Sequence, residues 1–529
     1  MMRLEYKPLS FSTTMRNPER IAVFVESLLP YEGKLLSNET IKHIVIGWII
    51  KKMIRTDTVN KEYQEFREIY LNSDKSFSIE QAEFIYEYQE KNTKGHKDAG
   101  FDKGWPTRFN TYMLLPMEFG FVYYEMNKPI EISETGKLLV KSYQESTEEQ
   151  TEDLSITKTE DIFLNALAKY QTNNPFRRNL IENAPFVLFL RTVKVLHDNY
   201  EWDKSGIYRN EIPFVICWPN DDAISLAKFI NDFRFTHGKT SSDEIVYETC
   251  LKLLSSDNRT RFKFKQIVKE GVDDIIRKLR VTGVVSLRGN GRLVDINRFE
   301  EDRVNYVINN YEKYISYTDA KEYYLYMGTI DNILIETHTV VASDDISSAR
   351  QRNLVSWSNQ MLPSDIVKEF RSLTSINGSQ HPVLKYISAP TRFEFLMSVA
   401  LKKKYPDLDV KPNYPVDDEG MPTSTARGGV GDIEVYGKKV DVLVEVTLMR
   451  NKSQSVNEIP GITRHMIEFK DNKTKLAYSL FVAPSIHPDT NYMIGYSKSS
   501  SDVDIYPLTI DEFVIRWEGS AEIMDLTHQ

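Results

Sequence analysis

The chain has 529 residues, a net charge of −9, 41% hydrophobic and 27% charged residues. That length excludes a single compact core and leads us to expect roughly three domains of about 150 residues each, while the near-average composition excludes a largely disordered chain. The acidic balance argues against a protein that coats nucleic acid, because phosphate neutralisation needs lysine and arginine.

Positive charge is nevertheless clustered, in "RTRFKFK" at 259–265 and "KKK" at 402–404, which suits one DNA groove on an acidic enzyme. Cys217 and Cys250 lie in apolar contexts without zinc-ligand spacing and read as reduced, packed thiols. The apolar run 44–50 falls far short of the roughly 20 residues of a membrane span, and no signal peptide precedes it, so a cytoplasmic protein with no membrane partner is expected.

In "MRNPER", Asn17 is a good N-cap and Pro18 suits the first helical position, with Ile21, Phe24, Val25 and Leu28 following at helical spacing. Residues 78–140 read as helix, helix, two alternating strands in "FGFVYYEMNKPIEIS", then "ETGKLLV", the order of a winged helix-turn-helix. Residues 1–150 are accordingly expected to form a first, winged-helix-like recognition domain. A second such unit is expected within 151–302, where 273–297 gives a helix, a turn at Gly283 and two strands around "RGNG". Two units favour duplex DNA as partner, although winged helices also serve as protein–protein modules.

Residues 303–385, rich in tyrosine, serine and polar helix formers, read as a helical linker. Residues 386–529 change to α/β character: a helix in "SAPTRFEFLMSVALKKKYP", a hairpin at 431–447, a helix near 461–473, the buried strand "LAYSLFVAP", the strand "IYPLTI" and a last helix "DEFVIRW". The expected fold is thus multidomain: an α+β N-terminal recognition region, a helical linker and a C-terminal α/β domain.

The hairpin "GDIEVYGKKVDVLVEVT" places Asp432, Glu434 and Tyr436 on one face of its first strand and Asp441, Leu443, Glu445 and Thr447 on one face of its second. A connection of four residues pairs Asp432 directly with Glu445. Two carboxylates about 5 Å apart at Cβ repel unless a cation or proton lies between them. Asp432, Glu445 and the backbone carbonyl of Val446 therefore suit Mg2+, although acids on the solvent face of an ordinary hairpin look the same. Magnesium-dependent nucleases with this arrangement usually carry lysine where Thr447 stands.

Glu394 borders the apolar stripe of Phe393, Leu396, Met397, Ala400 and Leu401. It reads either as an acid aimed at the site or as a first-turn acid favourable to the helix dipole. Glu458 and His465 are seven residues apart, which allows one helical face if the helix passes Pro460. Arg464 could bind a phosphate and His465 orient water or the leaving oxygen; packing is the bland alternative for the histidine. "ARGGVGD" precedes a strand and lacks a P-loop lysine, so it reads as a loop approaching DNA.

With these residues in hand, the sequence resembles the AlwI-like family of type IIS restriction endonucleases, which also holds the BstNBI-type nicking endonucleases. The marks are "FSTTMRNPER", "FGFVYYE", "ISETGKLL", "RFEFL", "GDIEV", "VEVT" and "EIPGITRH", in order over nearly the whole length. The resemblance implies an N-terminal half that recognises a short asymmetric DNA sequence and a C-terminal PD-(D/E)XK domain that cuts outside it, leaving a 5′ phosphate. By position it implies Asp432 and Glu445 as metal-binding acids, Glu394 as the helix acid, and Glu458 and His465 as a further active-site acid and histidine. It also accommodates Thr447, because the family pattern carries threonine there, and makes Gly431 in place of proline harmless.

Arg16, Asn17 and Arg20 lie in the N-terminal family motif and are expected to contact DNA, with capping and solvation as the alternative. One active site per chain cuts one strand, so a double-strand break needs a homodimer or a second subunit, and a chain unable to pair would nick. A cognate DNA methyltransferase is the partner expected in the same restriction-modification system. The competing reading is a DNA-binding regulator with a non-catalytic C-terminal domain.

Overall fold

Pro18 has φ −57° and ψ −34°, already helical, and the carbonyl of Asn17 accepts from the Arg20 amide at 3.2 Å, so helix α1 (Glu19–Glu26) starts where the sequence predicts. The structure is a computed structural model that describes residues 4–11, 13–71, 75–92, 100–145, 158–199, 205–336, 341–375, 378–471 and 475–527. Helix α2 (Asn38–Ile50) is capped by Ser37, whose hydroxyl accepts from the Thr40 amide. Helices α3 (Ile79–Asn92) and α4 (Trp105–Glu118) follow, then the short antiparallel pair β1 (Val122–Tyr123) and β2 (Glu131–Ile132) and helix α5 (Glu134–Glu145). Aromatic rings fill the core between them: Phe24 stacks on Tyr112 at 5.2 Å and Trp48 on Phe109 at 5.6 Å between centroids.

The second unit runs β3 (Ile207–Tyr208), α6 (Asp243–Leu253), α7 (Gly271–Arg280), β4 (Val285–Arg288) and β5 (Leu293–Ile296), with the strands in antiparallel order β3-β5-β4. Gly289, Asn290 and Gly291 all take positive φ, which the tight β4–β5 turn requires and which "RGNG" tolerates. Helix α7 is the helix that the sequence reading would lay in a groove, yet seven of its ten residues are buried. Lys278 donates to the carbonyls of Met15 and Arg16 on one side, while Arg280 bonds Asp417 of the C-terminal domain at 2.6 Å on another. In this structure α7 is a hub between protein segments, with Gly271, Asp273 and Arg277 its partly exposed residues.

The stretch 303–385 is helical as expected, but its two ends pack on different domains. Thr135 donates to the carbonyl of Gly328 at 2.6 Å, and Gly120 takes φ +74° where a Cβ would lie 2.4 Å from Met327. Farther on, Arg350 donates to the carbonyl of Pro412, and Phe370 meets Phe393 and Phe513 edge-on.

The C-terminal domain is a five-stranded mixed sheet in the order β10-β9-β8-β7-β6. Strands β6 (Asp409–Pro412), β7 (Ile433–Tyr436) and β8 (Val440–Val446) are antiparallel, and β9 (Leu476–Ala483) and β10 (Ile505–Thr509) continue parallel to β8. Helices α8 (Ala389–Lys404) and α11 (Ile510–Gly519) lie on one face with Val442 and Val444; α9 (Ile459–Lys470) and α10 (Pro488–Ser501) lie on the other with Leu443 and Phe481. The sequence reading lacks β6 and α10. Residue 473, expected at the end of α9, lies outside the described residues. Cys217 and Cys250 are buried thiols. Among the described residues no helix is long and apolar enough to cross a membrane.

Candidate active site

Strands β7 and β8 pair Ile433 with Val444 and Tyr436 with Asp441, so the register carried one residue further sets Asp432 against Glu445. The backbone closes this pair: the Val446 amide donates to Asp432 Oδ2 at 2.8 Å, and the Asp432 amide to Glu445 Oε2 at 3.3 Å. Asn413, just past β6, holds the approach from outside. Its amide donates to the Asp432 carbonyl at 2.9 Å and its side chain to the Gly431 carbonyl at 2.7 Å.

Gly431 leaves room for two side chains of β8. A Cβ at this position would lie 2.4 Å from Leu443 Cδ1 and 3.0 Å from Glu445 Oε1, so a side chain would displace the acid. Proline in its place would meet the same atoms.

Two further acids and a histidine stand near the pair. His465, buried on α9, places Nδ1 3.0 Å from Glu445 Oε1. Glu394, buried on α8, accepts from the Ala426 amide at 2.9 Å. Burial, then the negative charge of Asp432 and of Glu445, pushes the Glu394 carboxyl well above the usual carboxylate range, against the pull of the Ala426 amide. Glu458 is raised by burial and drawn back by a hydrogen bond from Thr447. Thr447 thus ties the end of β8 to Glu458, and its hydroxyl also accepts from the Met449 amide. Pro460 falls in the first turn of α9, where its missing N–H is harmless, but the helix begins at Ile459 and Glu458 is its N-cap, so the shared helical face that the spacing allowed does not extend back to Glu458.

Of the predicted site residues, Asp432, Glu445, Val446, His465 and Glu394 come together, with Glu458 joined through Thr447. Arg464 is exposed on α9, adjacent to the buried His465. In the N-terminal motif, Arg20 turns inward: its guanidinium donates to the carbonyls of Thr14 at 3.0 Å and Met53 at 2.7 Å, so it braces that motif instead of pointing to solvent. Asn17 is exposed and Arg16 half-buried. The roles of Asn413 and Gly431 were missed in the sequence; nothing in "KPNYP" marks a residue that folds back on a strand distant in sequence.

Among the described residues no three histidine, cysteine, aspartate or glutamate side chains converge into a ready-made cation cage. The donor set still fits a hard divalent cation. Two carboxylates face each other across a ladder, a third presses on them, and oxygen donors without thiolate favour magnesium-like ions over zinc.

Comparison with known families decides what this chemistry serves. The family model described as AlwI restriction endonuclease matches residues 117–362 and 377–515. The chain belongs to the AlwI restriction endonuclease family. As a member it is a DNA-cleaving enzyme. The small subunit of the heterodimeric restriction endonuclease R.BspD6I is 30% identical over 30% of this chain and 80% of its own, with a TM-score of 0.26. Restriction endonuclease FokI is 10% identical over 99% of this chain and 98% of its own, with TM-scores of 0.26 free and 0.25 bound to DNA over the same shares. No curated protein matches this AlwI-family chain.

Proposed function

We propose that this AlwI-family enzyme is a magnesium-dependent type IIS endonuclease. Its N-terminal half reads a short asymmetric duplex sequence through winged-helix units, and its C-terminal domain, of the PD-(D/E)XK type, hydrolyses a phosphodiester outside that sequence and leaves a 5′ phosphate. The observation that carries this reading is the pair Asp432 and Glu445, closed by backbone amides and braced by His465.

Asp432, Glu445 and the Val446 carbonyl would hold the cation. When bound, such a cation supplies a water of lowered pKa and offsets charge developing on the phosphate. His465 fixes the orientation of Glu445 and thereby leaves Asp432 and Glu445 one relative geometry. Glu394, turned by the Ala426 amide, adds a buried carboxyl oxygen behind the pair. Glu458, held by Thr447, adds an acid at the end of β8, and Arg464 would take a phosphate oxygen.

One acid pair per chain serves one strand. A double-strand break then needs a second copy or a different subunit, and a chain acting alone nicks; a cognate DNA methyltransferase would protect host copies of the site. The test is incubation with supercoiled plasmid in Mg2+ or chelator, followed by run-off sequencing of both strands. Breaks at a fixed distance from a shared asymmetric sequence support the type IIS reading, one broken strand the nicking form, and breaks without a shared sequence overturn it.

A further inference from the structure

Four cations converge where the N-terminal motif, helix α7 and the segment entering the C-terminal domain meet. Arg209 lies with its guanidinium carbon 5.4 Å from the centre of the Tyr386 ring, Arg277 likewise at 5.4 Å, and the Lys385 ammonium at 5.1 Å. Arg16 is close enough to Arg277 to depress its pKa, and its backbone is pinned to α7 by Lys278.

The negative charge opposing them is small. Among the described residues Asp273 is the one carboxylate in salt-bridge contact with any of the four: it pairs with Arg209 and with Lys385 at 2.9 Å, and also accepts from the Tyr386 hydroxyl at 2.7 Å. The neighbouring Asp274 is committed to Lys278 at 2.8 Å. Two guanidinium Nε atoms in the cluster, those of Arg16 and Arg277, are buried without a hydrogen-bond partner. Buried guanidinium donors left unmatched are costly, and an anion accepting from them would remove that cost. All four cations are partly exposed, so solvent reaches the cluster.

We propose that Arg16, Arg209, Arg277 and Lys385 form a phosphate site that takes one phosphodiester of the bound duplex at the junction of the two halves of the enzyme. The site rests on the DNA-cleaving reading of the chain but not on the metal site. Guanidinium forks suit the paired oxygens of a phosphodiester, and the Tyr386 ring keeps the cations gathered. Because Lys385 and Tyr386 precede α8, which carries Glu394, a phosphate held here fixes the duplex relative to the cleavage domain.

Two measurements in chelator, where no strand is cut, test this. The first is the salt dependence of binding to a labelled random-sequence duplex, for wild type and for the double variant Arg16→Met, Lys385→Met, whose side chains keep their apolar stems. The variant is expected to bind more weakly and to lose about 0.9 from the slope of log K against log salt, the signature of one phosphate contact. The second uses wild type alone, so folding of a variant is not at issue: phenylglyoxal modification of Arg16 and Arg277, read by mass spectrometry with duplex or with inorganic phosphate. Protection by duplex is expected. An unchanged slope, or protection by inorganic phosphate but not by duplex, overturns the proposal. Wild type that binds no duplex at all overturns the DNA reading itself.

Discussion

His465 Nδ1 lies 3.0 Å from Glu445 Oε1, so a buried helix residue fixes the position of a strand carboxylate whose other oxygen is held by the Asp432 amide. His465 is therefore a positioning residue for Glu445. Its replacement by Ala is expected to cut the cleavage rate by about 10- to 100-fold, as loss of the group orienting a ligand does. Rates followed against Mg2+ concentration should show the loss as a weaker metal requirement curve, shifted to higher Mg2+, with duplex binding in chelator unchanged. A variant with an unshifted metal curve and a full rate contradicts the positioning role.

Gly431→Ala introduces a Cβ that collides with Leu443 and crowds Glu445 Oε1. A displacement of the order of an ångström at the acid is expected to cost about a hundredfold in rate. Adding Leu443→Ala should restore part of it by opening space beside the strand. Single-turnover cleavage of plasmid by the three proteins measures this, and a fully active single variant would show that the glycine is dispensable.

Arg280 and Asp417 form a buried ion pair at 2.6 Å between helix α7 and the C-terminal domain. Asp417→Ala strands a buried guanidinium and removes the acceptor of the Glu419 and Met421 amides, so unfolding in denaturant should become easier by about 3–5 kcal/mol. A midpoint equal to wild type would mean that the contact contributes nothing to holding the two parts together.

Glu160, beside the turn at Gly283, has its carboxyl pushed up from 4.5 to about 7, by burial first and then by Asp161 and Glu300. The folded protein thus holds this proton more tightly than the unfolded chain. The resulting stability is fully present below about pH 4.5 and is lost as pH rises through 7. The loss is at most about 3 kcal/mol, and smaller to the extent that water reaches this partly exposed side chain. Glu160→Gln carries no such proton, so at pH 8 it should melt higher than wild type, and a melting curve over this pH range reads the difference directly.

The hairpin was the most legible part of the molecule. Alternation in "DIEVY" and "VDVLVEV" fixed which side chains share a face, and a connection of four residues was enough to set Asp432 against Glu445, as the observed register requires. The α8 stripe and the start of α9 were readable for the same reason, a strong local pattern. What lay beyond reach was set by contacts distant in sequence. Edge strand β6 contains Pro412 and is only four residues long, and α10 is rich in serine with no apolar stripe to announce it. The burial of α7 could not be read from its own residues either, since it depends on carbonyls at 15 and 16 and on an acid at 417. Arg20 shows the same limit: its charge suggested DNA, while its bonds go to the carbonyls of Thr14 and Met53.

The central claim is that Asp432 and Glu445 hold the cation that cleavage needs, and the most direct measurement compares wild type with Asp432→Ala and Glu445→Gln. Duplex affinity is measured in chelator and strand cleavage in Mg2+ on the same preparations. Both variants are expected to bind duplex as wild type does and to leave both strands of the plasmid intact. Cleavage at the wild-type position and rate by either variant would contradict the account and place the metal elsewhere.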